Sequence, residues 1–340
     1  MTNASPPDPA PVLDLLEAFR RSQAMFAALD LGVFDRLADG PAALSDLARD
    51  LGADAGALGR LLDACVALRL LTRDGPHYAN APAADAYLTA RSPLRLTGYA
   101  RYSGAVLWQL WAHLGDAVRE GTHRWKQAFG LEGPIFDHFF RTDADRREFL
   151  MGMHGLGQIS SPAVAAAFDL GRFRRLADLG GATGHLAVAA CRRYPALRAV
   201  VFDLPGVLPL ARELVAASGV GDRVEVVAGD FFTDPLPPAD LFALGRILHD
   251  WAEDKVRRLL RAVYERLPAG GALLVAEKLL DDGRAGPSLA LFQSLNMLVC
   301  TEGRERTLGE YEALLREAGF SRVEGRRTSA PLDAVLAVKE

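Results

Sequence analysis

Residues 246–255, RILHDWAEDK, place an imidazole and a carboxylate side by side directly after an apolar run, LFALGRIL. Histidine has an ordinary pKa of about 6.5, so it can accept a proton near neutral pH. A carboxylate bonded to the second ring nitrogen would select one tautomer and stabilise the protonated ring. We therefore take His249 as the candidate general base, which would deprotonate a hydroxyl group.

Two glutamates follow His249 at positions from which they could hold its ring. Glu277 ends the next apolar run, GALLVAEKLL, and Glu305 lies further along the chain in TEGRERT. If the two apolar runs are neighbouring strands of one parallel sheet, their carboxyl ends meet at the same edge, and Glu277 lies near His249. The residues alone leave open which glutamate bonds to the imidazole.

A glycine-rich segment, DLGGATGHLA, follows the first apolar run of the second half of the chain. Gly180, Gly181 and Gly184 would let the chain turn sharply and let a ligand approach the backbone, while the next helix offers free N–H groups. The spacing differs from the G-x-G-x-x-G of dinucleotide-binding folds. No Gly-Lys-Ser/Thr follows, which excludes a phosphate-binding P-loop.

Acidic residues also end the next two apolar runs. Asp203 ends AVVFDL, nineteen residues after Gly184, where an acid suits hydrogen bonding to a ribose diol. Asp230 and Phe231 lie in AGDFF, where they could accept from an adenine amino group and stack on its ring. The sequence thus offers a glycine-rich turn, an acid for the ribose, and an acid and an aromatic ring for the adenine, but no motif that binds a pyrophosphate. This combination predicts an adenosyl ligand such as S-adenosylmethionine.

The elements that carry these residues alternate between two patterns. Apolar runs (RLADLG, AVVFDL, VEVVAGD, LFALGRIL and GALLVAEKLL) are separated by helical stretches such as KVRRLLRAVYERL. In that stretch one apolar stripe comprises Val256, Leu259, Leu260, Val263 and Leu267. This alternation predicts a parallel sheet covered by helices on both faces, with the ligand beyond the carboxyl ends of the strands.

The first half of the chain has a different pattern and is predicted to be mainly helical. A short helix, a turn, a second helix and a hairpin around Asp74-Gly75 predict a winged-helix arrangement, which raises the possibility of DNA binding. Residues 30–90, however, contain nine aspartates and only five arginines, and this net negative charge repels the phosphates of DNA. We therefore interpret this arrangement as serving packing and dimerisation.

The 340 residues exceed what one hydrophobic core usually serves, so we expect a flexible tail over 1–11, a helical domain over 12–165 and a catalytic domain over 166–340. A net charge of −4 gives no general attraction to nucleic acid or anionic lipid. Three widely spaced cysteines argue for a reducing compartment and against structural zinc. Since neither a signal-peptide pattern nor a membrane-spanning run is present, we expect a cytoplasmic protein.

The chain resembles the class I S-adenosylmethionine-dependent O-methyltransferases, and most of all the acetylserotonin (hydroxyindole) O-methyltransferase-like family. The motifs DLGGATGHLA, VFDLP, GDFFTDPLP, RILHDWAEDK, GGALLVAEKLLD and SLNMLVCTEGRERT follow one another as in that family. The resemblance implies an α/β catalytic domain, Rossmann-like, with a seven-stranded, mostly parallel sheet. It also implies a preceding winged-helix-like dimerisation domain and a homodimer in which helices of one subunit help to close the pocket of its partner.

The resemblance also implies roles for individual residues. The catalytic residues would be His249 as general base, with Glu277 and Glu305 as the acids that hold it. The cofactor would be bound by Gly180, Gly181, Asp203, Asp230, Phe231 and Arg246. The acceptor would be contacted by Phe149, Met153, Asp250, Asn296 and Met297. The implied reaction moves the methyl group of S-adenosylmethionine to a hydroxyl, phenolic in type, of a small aromatic molecule, leaves S-adenosylhomocysteine and needs no metal.

One position departs from the family pattern. Cys300 stands where acetylserotonin O-methyltransferases carry a glutamine that can contact the acceptor's amide, so the identity of the acceptor stays open. Two alternatives to methyl transfer also stay open. The same fold and cofactor serve decarboxylation or hydroxylation in some polyketide-pathway relatives, and the chain could be a non-catalytic paralogue or a winged-helix regulator.

Overall fold

The computed structural model describes residues 7–133, 135–139 and 142–340 of the chain. The chain divides between Ala105 and Val106 into two compact units. The domain limits expected from the sequence, 12–165 and 166–340, stay predictions, because a compact unit need not coincide with a functional domain. Within the described part of the chain, no helix is long and apolar enough to cross a membrane.

The first unit is mainly helical. In chain order its elements are α1 (Ala10–Asp30), α2 (Val33–Leu37), β1 (Ala42–Ala43), α3 (Leu44–Asp50), α4 (Ala55–Ala67), β2 (Leu71–Asp74), β3 (His77–Asn80), α5 (Pro82–Tyr87) and α6 (Thr97–Tyr102), followed by a π-helical turn at Ser103–Leu107. The three strands form an antiparallel sheet in the order β1-β3-β2, and Gly75 takes a φ of 55° in the hairpin turn. Helices α3 and α4 with this hairpin confirm the predicted winged-helix arrangement.

Helix α1 has a buried end and an exposed end. Ala28 and Leu29, near its C-terminus, are buried in the core of the first unit. Five apolar side chains near its N-terminus are instead 51–71% exposed, namely Val12, Leu13, Leu15, Leu16 and Phe19. The first half of α1 therefore presents an apolar face that the described residues leave open to solvent.

The second unit begins with five helices, which are α7 (Trp108–Trp111), α8 (Leu114–Glu120), α9 (Trp125–Phe129), α10 (Ile135–Phe139) and α11 (Asp143–Ala167). Strands and helices then alternate as β4 (Arg175–Leu179), α12 (His185–Arg193), β5 (Arg198–Asp203), α13 (Leu208–Ala216), β6 (Val224–Ala228), β7 (Leu241–Gly245), α14 (Glu253–Arg266), β8 (Ala272–Glu277), α15 (Ser288–Cys300), α16 (Leu308–Ala318), β9 (Arg322–Arg326) and β10 (Asp333–Val338). Single 3₁₀ turns lie at Gly221–Arg223 and Leu248–Asp250.

The seven strands β4–β10 form one sheet in the order β6-β5-β4-β7-β8-β10-β9. The first five strands of this order are parallel, and β10 is antiparallel to both β8 and β9. The predicted seven-stranded, mostly parallel sheet is thus confirmed. Because β4 pairs with β5 on one side and with β7 on the other, the direction of winding changes at β4, and ligands bind beside such a switch point.

Helices cover both faces of this sheet. Apolar residues of α11 and α12, including Val164, Leu186 and Cys191, form one buried cluster with the strands, and residues of α14 and α16 form the other. The predicted stripe of α14 is confirmed, since its members are at most 3% exposed, namely Val256, Leu259, Leu260, Val263 and Leu267. The two layers leave the carboxyl ends of the strands as the place where polar side chains gather.

The end of the fourth strand of the catalytic sheet differs from the prediction. Strands β5 and β8 end at the predicted residues, Asp203 and Glu277. The prediction that the fourth strand runs on to His249 was wrong, because β7 ends at Gly245. Arg246 then takes a φ of 57°, which is uncommon for a residue with a Cβ, and the chain continues into the 3₁₀ turn Leu248–Asp250.

Candidate active site

The turn that carries His249 is held by the carboxylate of Glu277, at the end of the neighbouring strand β8. Its Oε1 accepts three consecutive backbone N–H groups, those of Ile247 (3.1 Å), Leu248 (2.8 Å) and His249 (3.3 Å). These N–H groups have left the ladder of β7, and a buried N–H without a partner is costly. Glu277 therefore determines where the backbone of His249 lies.

The imidazole of His249 lies among three carboxylates. Its Nδ1 is 2.7 Å from Glu305 Oε1 and 3.4 Å from Glu277 Oε2. On the opposite edge of the ring, Nε2 is 3.6 Å from Asp250 Oδ1. Glu305 thus makes the short hydrogen bond to the ring, whereas Glu277 mainly holds the backbone. We call His249, Asp250, Glu277 and Glu305 the histidine–acid cluster.

The segment before α16 fits tightly against this cluster. A Cβ on Gly303 would lie 2.2 Å from the carbonyl oxygen of His249, so only glycine lets the two backbones approach. Arg306, 1% exposed, donates through Nη1 to the carbonyl of Leu248 at 3.0 Å. Gly303 and Arg306 flank Glu305 and bring its carboxylate to the imidazole. Sequence reasoning missed both, although they stand in the same TEGRERT motif.

The protonation of the cluster follows from its charges. Burial by itself lowers the pKa of His249, but Glu277, Glu305 and Asp250 outweigh burial and raise it to about 10. Burial raises the pKa of Asp250 to about 7, with His249 opposing this rise. Burial also raises the pKa of Glu277. The surroundings therefore strongly stabilise a proton on the imidazole.

The same side chains also have the spacing of a metal site. Ligand atoms of His249, Glu277 and Glu305 all lie within 4.8 Å of one another. Two of these groups, however, already bond to each other through Nδ1 and Oε1, and Oε1 of Glu277 is shared by three N–H groups. A cation bound through Nδ1 and these Oε1 atoms would have to replace hydrogen bonds that are already made, whereas Oε2 of Glu277 and of Glu305 is buried without a hydrogen-bond partner among the described residues.

A second group of predicted site residues surrounds the glycine-rich turn, residues 180–184. Gly180 has a φ of 66°, and a Cβ on it would lie 2.4 Å from Ile247 and 3.3 Å from Phe231. Gly181 lies so close to Asp178 that its Cβ would be 2.9 Å from that carboxyl group. Both positions require glycine, and the approach at Gly180 brings the ends of β4, β6 and β7 together.

The two acids predicted to contact the cofactor are tied to backbone N–H groups. Asp203 accepts from Ala182 in the glycine-rich turn through Oδ2 (2.8 Å) and from Leu204 through Oδ1 (2.7 Å). Burial raises the pKa of Asp203 to about 6, and these two hydrogen bonds oppose that rise. Asp230 Oδ1 accepts from Phe232 at 2.8 Å. Each carboxylate oxygen has a second lone pair with which to accept from a ligand.

Three residues predicted to contact the acceptor lie on two helices. Phe149 and Met153 lie on α11 and are partly buried, and Phe149 packs in an apolar cluster together with Ala182 of the glycine-rich turn. Met297 is 5% exposed on α15. The structure therefore brings Phe149 to the glycine-rich turn, and Met297 into the interior of the second unit.

Asn296, also on α15, has a fixed orientation. Its Oδ1 accepts from the indole nitrogen of Trp111 at 2.9 Å and from the Cys300 thiol at 3.6 Å. Because an indole N–H can only donate, the amide must direct its oxygen toward Trp111. Burial, followed by the charge of Asp250, raises the pKa of Cys300, so its thiol keeps the proton that it donates. Sequence reasoning missed Trp111, which is 185 residues away from Asn296.

Comparisons with known proteins show the family to which the chain belongs. Two family models match, an O-methyltransferase dimerisation domain over residues 13–90 and an O-methyltransferase domain over residues 111–321. Acetylserotonin O-methyltransferase of Bos taurus is 43% identical over 328 residues, which cover 94% of this chain and 95% of that protein.

Two human proteins are similar along nearly the whole chain. The probable bifunctional dTTP/UTP pyrophosphatase/methyltransferase protein is 41% identical over 337 residues, 98% of this chain, and the chain spans only 54% of that protein's length. The crystal structure of human N-acetylserotonin methyltransferase in complex with S-adenosylmethionine superimposes with a TM-score of 0.93, at 40% identity and 99% coverage of both chains. The chain belongs to the S-adenosylmethionine-dependent O-methyltransferase family.

Proposed function

We propose that this protein transfers the methyl group of S-adenosylmethionine to the hydroxyl group of a small phenolic acceptor of the hydroxyindole type, with His249 as general base. One observation carries the proposal. The 2.7 Å contact between Nδ1 of His249 and Glu305 orients the imidazole, and Nε2 on its other edge is left to meet a hydroxyl proton.

The residues at the strand ends fit the cofactor. The glycine at position 180 lets Ile247 and Phe231 approach the turn. Asp203 supplies an acceptor for hydroxyl groups, and Phe231 supplies an aromatic face for adenine. Arg246 follows directly after β7 on the same edge. When bound, S-adenosylmethionine supplies an electrophilic methyl group on a positively charged sulfur.

His249 accepts the hydroxyl proton on Nε2 while Glu305 accepts the hydrogen bond from Nδ1–H. The three carboxylates around the ring stabilise the resulting imidazolium, which makes the imidazole a strong base. Asp250, at 3.6 Å from Nε2, lies where a hydroxyl group would have to enter and contributes a further acceptor there. The cluster needs no metal, because Glu305 and Glu277 already neutralise the charge that forms on the ring.

The class of acceptor is supported by the relatives and by Asn296. Relatives named acetylserotonin O-methyltransferase support a hydroxyindole. With Oδ1 of Asn296 bonded to Trp111 and Cys300, its Nδ2 donor is left to bind an oxygen atom of the acceptor. Cys300 offers a thiol where those relatives would offer an amide, so we propose that the acceptor need not carry an N-acetyl group.

We further propose that the protein works as a homodimer in the cytoplasm. The exposed apolar face of α1 and the match to a dimerisation domain over residues 13–90 support a second copy of the chain as the partner. Cys65, Cys191 and Cys300 are all free thiols, as expected in a reducing compartment.

The test is a set of hydroxylated aromatics incubated with methyl-labelled S-adenosylmethionine, with products located by mass spectrometry. It should contain 5-hydroxyindole, N-acetylserotonin and simple phenols. We expect one methyl ether for each S-adenosylhomocysteine formed, and 5-hydroxyindole to be methylated at least as well as N-acetylserotonin. Conversion of an acceptor without stoichiometric S-adenosylhomocysteine would support decarboxylation or hydroxylation, and no conversion of any hydroxylated aromatic would contradict the proposal.

A further inference from the structure

Two further histidines lie beside the glycine-rich turn, where helices α11 and α12 cross. At the crossing, a Cβ on Gly157 would lie 2.3 Å from the ring of His185, so α11 needs glycine to admit this ring. Nδ1 of His185 is 2.8 Å from the Ser161 hydroxyl. His185 is the first residue of α12, directly after the turn. The crossing therefore fixes α11 next to the turn.

His154, one turn of α11 before Gly157, contacts the glycine-rich turn itself. Its Nδ1 is 2.9 Å from Oγ1 of Thr183, and its Nε2 is 3.0 Å from the side-chain nitrogen of Gln158. With the Gln158 amide donating to Nε2, the ring proton lies on Nδ1, which donates to Thr183. Thr183 is 1% exposed, and within the described residues the His154 ring is the hydrogen-bond partner of its hydroxyl group.

The turn needs such support, since its backbone is unusual. Ala182 takes a φ of 50°, a left-handed conformation that is strained for a residue with a Cβ. From the side of β5, the turn is held by the hydrogen bonds from Gly180 N to Phe202 O and from Ala182 N to Asp203, both 2.8 Å. From the side of α11, the hydrogen bond between His154 and Thr183 holds it.

We propose that His154 is a positioning residue for the cofactor, which acts through the Thr183 hydroxyl to keep the glycine-rich turn in its binding conformation. Because α11 also carries Phe149 and Met153, the contact joins the helix expected to line the acceptor pocket to the turn expected to bind the cofactor. The inference rests on the proposed function only in assigning this turn to S-adenosylmethionine. His154 itself touches no reacting atom.

The experiment measures the Kd of S-adenosylhomocysteine by calorimetry on the full chain, with thermal unfolding in parallel. Loss of one hydrogen bond in His154→Ala should weaken binding by about three- to tenfold. His154→Asn should bind within about twofold of the wild type, because a side-chain amide can replace Nδ1 as the partner of Thr183. The KM for S-adenosylmethionine should rise in His154→Ala, whereas kcat stays within about threefold.

Thr183→Val and a matched control complete the design. Thr183→Val should weaken binding as much as His154→Ala, and the double variant should be no weaker than either single one, because both remove the same bond. Ser160→Ala removes a buried hydroxyl of α11 that, among the described residues, bonds within the helix to the carbonyl of Leu156, and should leave the Kd unchanged.

Unchanged affinity in both His154→Ala and Thr183→Val would overturn the inference, as would additive losses in the double variant. A lower melting temperature without any change in Kd would likewise reduce His154 to a packing residue. Failure of the wild-type chain to bind S-adenosylhomocysteine would contradict the proposed function instead, so the two failures are distinguishable.

Discussion

His249 and His185 are both enclosed histidines at the carboxyl edge of the same sheet, yet their surroundings shift their pKa values in opposite directions. Three carboxylates raise the pKa of His249 to about 10 against the effect of burial. Burial lowers the pKa of His185 to about 3, with smaller contributions in the same direction from His154 and Arg246. The comparison shows that burial disfavours the charged ring in both places, and that the neighbours decide the outcome.

The two rings therefore suit different tasks. With a pKa of about 3, the His185 ring binds a proton only weakly and is a poor base, and it instead fills the space that Gly157 leaves between α11 and α12. At His249 the surrounding acids stabilise the imidazolium that a hydroxyl proton would create. The following predictions test this distinction, beginning with the largest effect.

Removal of the proposed base should have the largest effect. In His249→Ala we expect kcat to fall by about 10²- to 10⁴-fold, because the hydroxyl loses its proton acceptor. The Kd of S-adenosylhomocysteine should stay the same, and His77→Ala, an exposed histidine of the first unit, serves as the control. Unchanged turnover in His249→Ala would remove this residue from the chemistry.

Glu305→Gln should lower kcat by about 10- to 100-fold, the value of one hydrogen bond to a charged group. The dependence of kcat on pH tests more directly whether Glu305 acts on the His249 ring. Since Glu305 is one of the charges that raise the pKa of His249, its removal lowers that pKa. A base must lose its proton before it acts, so the rising limb of kcat against pH should move to lower pH. A limb that stays in place would mean that Glu305 does not act on the ring.

Gly157→Ala should destabilise the fold by about 1–3 kcal/mol, because the new methyl group meets the His185 ring. His185→Ala in the same chain should recover part of this loss, as thermal unfolding would show. Folded His185 stays neutral down to about pH 3, whereas the unfolded chain protonates it near pH 6.5. Burial of this ring therefore lowers the free energy of unfolding only as the pH falls below about 6.5. Between pH 7 and 9 the effect of Gly157→Ala should therefore be constant, and a change over this range would contradict the neutral ring.

A chelator should have the smallest effect. Because Nδ1 of His249 and one oxygen of each glutamate are already hydrogen-bonded, EDTA should change kcat by less than about twofold. The control is addition of Mg²⁺ or Zn²⁺ to the treated enzyme. Loss of activity on chelation that either ion restores would show that the cluster holds a cation.

Much of the fold was predictable because its signals are local. The apolar stripe of α14 repeats within fourteen residues, and Asp203 and Glu277 each end an apolar run that forms a strand. The need for glycine at a position such as Gly180 was visible in the residue type, since a tight turn with a positive φ favours glycine. For the same reason the winged-helix arrangement was visible in a short helix, a turn and a hairpin.

Other features depended on residues far apart in the chain. The end of β7 was placed wrongly because LFALGRIL stays apolar after the strand has ended, and only the carboxylate of Glu277, 28 residues beyond His249, reveals the turn. The choice between Glu277 and Glu305 was open for the same reason. His154 had no local signal, because its partner Thr183 lies 29 residues away.

Residue types and their order were thus sufficient to predict the fold class and the S-adenosylmethionine dependence of the family, whereas the adenosyl site at the strand ends and the role of His249 stay predictions. Which acid bonds to the imidazole, which holds its backbone, and which histidine stays neutral depended on the folded chain. The physical reason is that strand periodicity and turn chemistry act over a few residues, whereas a pKa and a hydrogen bond depend on distances of a few ångströms between groups that the sequence keeps far apart.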